Sequence, residues 1–227
     1  ELDGFAEPHL VGEDHVAVAV GHVLEETDAL LLVRAQRSFE PEVRAEVVAG
    51  GDFARSAARR GGPIQITTSV QEALPRAGIV ISATNSRSKL IRPQDLQPGA
   101  VVCDISRPPN VSADVEQTRP DVLVIDGGVV ELPGRPDLGW DFGFPPGLAY
   151  ACMAETMVLA LEQRYESYTL GRELTVEQVE EIAQLAGKHG FKLSGFRSFG
   201  KALTEKEIAG IKSRASERKT ARPCQIK

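Results

Sequence analysis

Three cysteines occur in the chain, and Cys152 is the one whose surroundings could activate a thiol. It lies in Gly139–Leu161, GWDFGFPPGLAYACMAETMVLAL, where the sole Trp, Phe142, Phe144, Tyr150 and a Pro145-Pro146-Gly147 turn precede a helical pattern. From Leu148 to Leu161 only Glu155 and Thr156 carry strongly polar side chains, and a helix apolar nearly all round is expected to be buried. The pattern puts Cys152 in the second turn, where backbone N–H groups and the helix dipole favour a thiolate if the sulfur is accessible. Such a thiolate is a nucleophile; a small apolar core cysteine is the plainer alternative. Cys103 falls inside the apolar run Ala100–Ile105 and reads as core, and Cys224 lies in a charged tail and reads as incidental. Glu155, three residues beyond Cys152, shares a nearby helix face. It reads as a structural hydrogen-bonding group, because a carboxylate so close opposes thiolate formation. His9, His15, His22 and His189 lack metal-ligand spacing, so no metal site is expected. His189, just before Gly190, reads as a charge at a helix C-terminus.

The elements that must position these groups are short apolar runs. His15–Val20, Ala29–Val33, Ile64–Thr68, Ile79–Ala83, Ala100–Ile105 and Val122–Ile125 have the composition of strands buried on both faces of a parallel sheet. Glu40–Arg60, mixed charged and Ala-rich, is expected to be helical with a break at Gly50-Gly51. Ser69 and Glu72 form a capping-box pattern opening a short helix that Pro75 limits. The expected fold class is therefore α/β, a doubly wound, mostly parallel sheet with a C-terminal helical extension. That extension holds the Cys152 helix, running to about Tyr165, and a second amphipathic helix over 175–189. Thr175 and Gln178 cap the second helix and Gly190 ends it. The expected division is 1–138 for a dinucleotide-binding domain, 139–199 for a helical catalytic segment, and 200–227 for a loose charged tail with an exposed helix near 204–213.

In such a sheet ligands bind beyond the carboxyl ends of the strands. Thr84, Asn85 and Ser86 follow the fourth run, Ser106 to Asn110 the fifth, and Asp126, Gly127 and Gly128 the sixth. Ordinary turn chemistry explains any one of these loops, but three in succession point to a site for a flat ligand such as a nicotinamide or ribose. The phosphate fingerprint G-x-G-x-x-G is reduced to Gly21 after the first run. With Ala29–Val33 as second strand, residues 21–28 are too few for a crossover helix, so this region is expected to be atypical or incomplete. Arg34 and Arg37, at the end of that second run, would meet a 2′-phosphate and select NADP over NAD; solvated loop cations are the alternative.

The whole chain of 227 residues is 42% hydrophobic and 26% charged with a net charge of −6. This is ordinary globular composition, giving no reason to expect nucleic acid or an anionic membrane as partner. An odd number of cysteines points to a reducing compartment. No apolar run approaches membrane-spanning length, and the first residues resemble no signal peptide. The expectation is a soluble cytoplasmic protein, and a chain that begins at Glu1 is expected to be a fragment or processed product.

Residues Ala149–Phe191, AYACMAETMVLALEQRYESYTLGRELTVEQVEEIAQLAGKHGF, are similar to the C-terminal segment of the cyanobacterial-type long-chain acyl-[acyl-carrier-protein] reductases. EALPRAGIVISAT, the strand reaching Asp104 and PDVLVIDGGVVE follow that family's order upstream, so the resemblance covers roughly 64–196. It implies a Rossmann-type reductase whose A-C-x-A-E cysteine, here Cys152, takes a fatty acyl group from an acyl carrier protein or coenzyme A thioester. The acyl-enzyme is then reduced to an aldehyde with NADPH. Where the family reads Asp-Gly-Gly-Tyr-Pro this chain reads Asp104-Ile105-Ser106-Arg107-Pro108, and little of the family's N-terminal substrate domain is present. A separate substrate domain or a homo-oligomer would supply the remainder. The cofactor contacts expected are Gly21, Arg34, Arg37, Thr84, Asn85, Ser106, Gly127 and Gly128. Two alternatives stand beside this one. ISATNSR also resembles the ornithine cyclodeaminase and amino-acid dehydrogenase group, and a non-catalytic nucleotide- or partner-binding domain would tolerate the reduced fingerprint.

Overall fold

The computed structural model describes residues 15–19, 45–48, 64–67, 69–84, 86–169 and 175–221. Its centre is a six-stranded sheet of β1 (His15–Ala19), β2 (Ala45–Val48), β3 (Ile64–Thr67), β4 (Ala77–Ser82), β5 (Val101–Asp104) and β6 (Leu123–Asp126), in the order β3-β2-β1-β4-β5-β6. Every neighbouring pair is parallel. This is the doubly wound order, and its direction of winding reverses between β1 and β4, where such sheets open a crevice for a dinucleotide.

The second strand is not where the apolar runs place it. β1 pairs with Ala45–Val48, inside the stretch expected to be helical. Ala29–Val33 lies outside the described residues. The connection from β1 to β2 is therefore residues 20–44 rather than the expected 21–28, long enough for a normal crossover. Ala45-Glu46-Val47-Val48 is too short and too mixed for periodicity to separate it from helix; pairing between β1 and β3 decides it.

One face of the sheet carries a core of small and branched side chains: Leu74, Ala77, Val80, Ile91, Leu96, Val102, Val111, Val115, Val122 and Val124 are all buried. Helix α1 (Val70–Ala73) runs into a 3-10 turn at Leu74–Arg76 that contains Pro75, as the sequence suggests, although the Ser69 side chain makes no cap hydrogen bond. Helix α2 (Asp114–Thr118), which follows β5 in the chain, buries Val115 in this core.

Beyond β6 the chain forms a three-stranded antiparallel sheet, β8 (Leu148–Tyr150), β7 (Val129–Glu131) and β9 (Lys192–Leu193), with β7 central. Leu148–Tyr150 is thus strand, not the first turn of a helix. Helix α3 starts at Ala151 and ends at Leu161. It is not buried all round: Ala154, Val158 and Leu159 face the core, while Cys152, Thr156, Ala160 and Leu161 are exposed. Helix α4 (Val176–Lys188) packs Ile182, Leu185 and Ala186 against that buried face. Its capping box is present as the sequence predicts, Gln178 N–H donating to Thr175 Oγ1 at 3.2 Å and Thr175 N–H to Gln178 Oε1 at 2.9 Å. His189 closes α4 and reaches Glu162, at the end of α3, at 2.5 Å.

The expected loose tail is ordered over 200–221. A hairpin of β10 (Arg197–Ser198) and β11 (Lys201–Ala202) leads into helix α5 (Glu205–Ala221). Arg214 Nε donates to Pro120 O at 2.8 Å, and Arg218 meets Asp121 Oδ1 at 2.8 Å. Asp121 is buried and also takes a bidentate pair from Arg119 (3.0 and 2.9 Å). All five guanidinium donors of Arg119 are used, the others on the carbonyls of Pro93, Leu96 and Gln97. Burial alone would push the Asp121 carboxyl up; the hydrogen bonds and charge of Arg119, with the charge of Arg218, outweigh it and hold the pKa below the ordinary carboxylate value. No described helix is long and apolar enough to cross a membrane.

Candidate active site

Parallel registration puts Ser82, Asp104 and Asp126, the last residues of β4, β5 and β6, at one level across the carboxyl edge of the sheet. Around the first two lies a buried polar cluster in which Ser82, Thr84, Asp104, Ser106 and Asn110 are each at most 7% exposed. Asp104 organises it. Its Oδ1 accepts Ser106 N–H at 3.0 Å, and its Oδ2 accepts Asn110 N–H at 2.7 Å and Val111 N–H at 2.9 Å. The carboxylate thereby folds the β5 loop back on itself.

The hydroxyls form a directed chain. Ser82 and Thr84 both donate to Asn110 Oδ1. Each hydroxyl has one proton, so in the 2.9 Å contact between Ser82 and Ser106 it is Ser106 that donates. Ser106 Oγ in turn accepts Thr84 N–H at 3.0 Å, and Thr84 Oγ1 accepts Ser86 N–H at 3.0 Å. The Asn110 amide donates to the carbonyls of Ser86 (3.0 Å) and Ser88 (3.2 Å). Nothing polar is left over: no described buried side-chain nitrogen or oxygen lacks a partner. Thr84 and Ser106, expected as cofactor contacts, therefore spend their side chains on locking the β4 loop to the β5 loop and leave the backbone edge to meet a ligand.

The β6 loop is shaped by its two glycines. A Cβ on Gly127 would lie 2.2 Å from Ile105 Cγ2 and 3.0 Å from Cys103 Sγ, so this position has no room for a side chain. Gly128 adopts φ +71°, and a Cβ there would meet nothing within 4 Å. The loop is packed beneath and open above, which suits a flat ring laid on backbone. Burial pushes the Cys103 thiol up, with the charges of Asp104 and Asp126 adding to it. Cys103 is thus a protonated, half-buried packing group, as its run suggests.

Cys152 reaches the same edge of the sheet by a different route. β8 pairs with β7, Tyr150 opposite Val129, and the next amide, Ala151 N–H, donates to Gly128 O at 2.8 Å. Helix α3 begins there, so Cys152 is its second residue rather than a member of the second turn. It is exposed, and the N-cap residue Tyr150 offers no side-chain cap. The accessible Cys152 thus belongs to the first turn, at the positive end of an 11-residue helix. Glu155 accepts a hydrogen bond from Thr169 Oγ1 at 2.5 Å, in keeping with a structural role.

Arg107, a member of the Ser106–Asn110 loop to which the sequence gave no individual role, joins these parts. Its Nη1 donates to Ser106 O at 2.8 Å and its Nη2 to Gly127 O at 3.1 Å, while the guanidinium lies 5.1 Å from the centre of the Tyr150 ring. Tyr150 also meets Phe144 edge-on at 5.1 Å and donates its hydroxyl to Phe142 O at 3.3 Å.

Of the expected site residues, the structure brings Thr84, Ser106, Gly127, Gly128 and Cys152 to one edge. Asn85, Gly21, Arg34 and Arg37 lie outside the described residues. Arg34 and Arg37 precede β2 rather than follow it, which removes the positional reason for assigning them to a 2′-phosphate. Among the described residues no group of three or more His, Cys, Asp or Glu is placed to hold a metal ion. Asn110 belongs to the loop expected to line the site, but the organising role of Asp104 was missed, although an acidic strand end followed by Ser-x-x-x-Asn is the signal that could have found it.

No protein-family model matches the chain. Over 152 residues, 66% of this chain, it is 36% identical to the aminotransferase PigE of a Serratia species, covering 18% of that protein. Over 131 residues, 54% of this chain, it is 29% identical to the long-chain acyl-[acyl-carrier-protein] reductase of Synechococcus elongatus, covering 37% of that enzyme. The chain thus spans well under half the length of either curated relative. Among solved structures it is similar to the nucleotide-binding domain of glutamyl-tRNA reductase from Thermoplasma volcanium, with a TM-score of 0.35 and 18% identity over 48% of this chain and 74% of that one. It is also similar to Thermococcus litoralis Δ1-pyrroline-2-carboxylate reductase, in complex with NADH and L-proline, with a TM-score of 0.35 and 19% identity over 41% of this chain and 30% of that one. The fold assignment rests on the strand order itself.

Proposed function

We propose that this chain is the nucleotide-binding and thiol-bearing part of an NADPH-dependent reductase that converts a fatty acyl thioester to an aldehyde through a Cys152-linked acyl group. The observation that carries this reading is the placement of Cys152. The exposed thiol stands in the first turn of α3, tied through Ala151 N–H to Gly128 O at the open β6 loop. The partial likeness to an acyl-[acyl-carrier-protein] reductase supports the thioester substrate, and the doubly wound sheet supports a dinucleotide.

The cofactor fits the residues present. The winding reversal between β1 and β4 would take its phosphates, and the backbone of Thr84, Ser106, Gly127 and Gly128 would bear the nicotinamide half, with open space above Gly128. When bound, NADPH supplies the hydride. The protein's own part is nucleophilic. Cys152 Sγ bonds to the acyl carbon, the carrier sulfur departs with the thiol proton, and N–H groups of the α3 first turn stabilise the carbonyl oxygen as it gains charge. After reduction the carbon–sulfur bond breaks, releasing the aldehyde and returning the thiolate.

Incubation with an acyl thioester followed by mass spectrometry of the Cys152 peptide tests the reading directly. An acyl adduct on Cys152, absent in Cys152→Ser together with aldehyde formation, is the expected result; aldehyde production by Cys152→Ser would refute it. NADPH fluorescence titration separates the rivals. No binding by the folded chain favours a non-catalytic domain, and activity unaffected by thiol alkylation favours an amino- or keto-acid dehydrogenase.

A further inference from the structure

We propose that Arg107 is a positioning residue that holds the Cys152 turn in register with the loops at the ends of β5 and β6. This rests on the reading of Cys152 as nucleophile. Arg107 is exposed, and an exposed guanidinium is ordinarily solvated or loosely paired with a carboxylate. Here its acceptors are two backbone carbonyls, from the β5 loop (Ser106, 2.8 Å) and the β6 loop (Gly127, 3.1 Å), and its guanidinium carbon lies over the Tyr150 ring, 5.1 Å from the ring centre. Three segments distant in sequence therefore meet on one planar cation.

What makes the arrangement consequential is what each segment does next. Tyr150 is the N-cap of α3 and directly precedes Ala151 and Cys152. Gly127 O is held by Arg107, and the adjacent Gly128 O receives Ala151 N–H at 2.8 Å. The β6 loop is thus gripped from one side by the guanidinium and from the other by the helix that bears the thiol. Ser106 is in turn locked to Ser82 and Thr84 in the buried cluster. Arg107 connects that rigid cluster to an otherwise exposed helix start. A lysine would not substitute for it, since an ammonium lacks the planar fork whose two arms reach separate carbonyls while the cation stays over a ring. A displacement of the reacting group by about 1 Å costs on the order of a hundredfold in rate.

The test is a double-mutant cycle on the whole chain with Arg107→Ala, Arg107→Lys, Tyr150→Leu and the combination of Arg107→Ala with Tyr150→Leu. Two quantities are read: steady-state aldehyde formation, and the rate of Cys152 alkylation by iodoacetamide followed at the Cys152 peptide across pH 6–9. Arg107→Ala is expected to lower kcat by roughly tenfold to a hundredfold, with KM for the thioester and Kd for NADPH within about twofold of the unmutated chain. Cys152 alkylation is expected to change severalfold in rate, and by the same factor in the combined variant, as the turn that carries the sulfur loosens. Arg107→Lys should resemble Arg107→Ala, and the combined variant should be no worse than the worse single one, because both remove the same link. Losses that multiply in the combined variant, full rescue by lysine, or a tenfold rise in Kd for NADPH with kcat preserved at saturation would each overturn the proposal. If the unmutated chain makes no aldehyde, the reading of function fails, and the alkylation cycle still decides whether Arg107 positions Cys152.

Discussion

Two regions share one edge of the sheet and are built on opposite principles. Under the β4 and β5 loops, Ser82, Thr84, Asp104, Ser106 and Asn110 are buried and spend their polar side chains on one another and on backbone. Hydrogen-bonded to Gly128 O through Ala151 N–H, the start of α3 exposes a thiol and leaves its N-cap without a side-chain acceptor. The first region has nothing left with which to do chemistry, and the second has spent little on stability. Burial raises the cost of every unmet hydrogen bond, so a cluster of this kind fixes loop geometry, whereas a helix start without a side-chain cap leaves first-turn N–H groups beyond Ala151 for a charge brought to it. Polar residues at strand ends are thus of two kinds: those that hold the site and those that meet what binds there.

Substitutions that separate stability from activity sharpen the contrast. Cys152→Ala should abolish aldehyde formation while moving the unfolding free energy by less than about 0.5 kcal/mol, as expected for an exposed position; urea unfolding beside an activity assay reads both. Asp104→Ala should do the reverse in kind, costing about 3 kcal/mol or more by orphaning three backbone N–H groups. It should also loosen both loops, seen as lost NADPH binding. If it unfolds the chain outright, Asp104→Asn, which keeps the shape and one acceptor, should show the smaller version.

Asp121 provides a buried carboxylate of the first kind remote from the thiol. Asp121→Asn should cost about 3 kcal/mol with NADPH affinity unchanged. Because its folded pKa lies below the ordinary carboxylate value of 3.8, its contribution is fully present above about pH 4–5. It is lost as pH falls through the folded value, so the urea midpoint of the unmutated chain should drop more steeply below pH 4 than that of the variant. Gly127→Ala should cost less than loss of either buried carboxylate, roughly 1–3 kcal/mol from overpacking, since its Cβ would meet Ile105 Cγ2 at 2.2 Å and that side chain must give way. The Gly127→Ala, Ile105→Ala pair should recover part of that loss in thermal unfolding.

Local pattern sufficed for much of this molecule. The runs that became β4, β5 and β6 are compact and branched, their ends are polar, and the Thr175–Gln178 box sits at the head of α4 as its spacing requires. These features follow from the residues themselves: backbone preference, periodicity and a cap that closes within four residues. Other features depend on partners far away in sequence. Ala45–Val48 became β2 because β1 and β3 flank it, and Leu148–Tyr150 became strand because β7 lies beside it; neither segment is long enough for its own period to decide. That choice moved the helix start to Ala151 and put Cys152 in the first turn, nearer the dipole than the sequence alone placed it. The same holds for Thr84 and Ser106, whose types suggest ligand contacts until Asn110 and Ser82 are seen to use them. Arg107 is the clearest case, since no spacing in the chain foretells a guanidinium shared by residues 106, 127 and 150. The sequence by itself determined which segments were apolar enough to form the sheet and which thiol was worth following. Only the tertiary structure decided which strands pair, which polar groups remain free and what holds the thiol in place, because each of those is a contact between segments that local pattern does not encode.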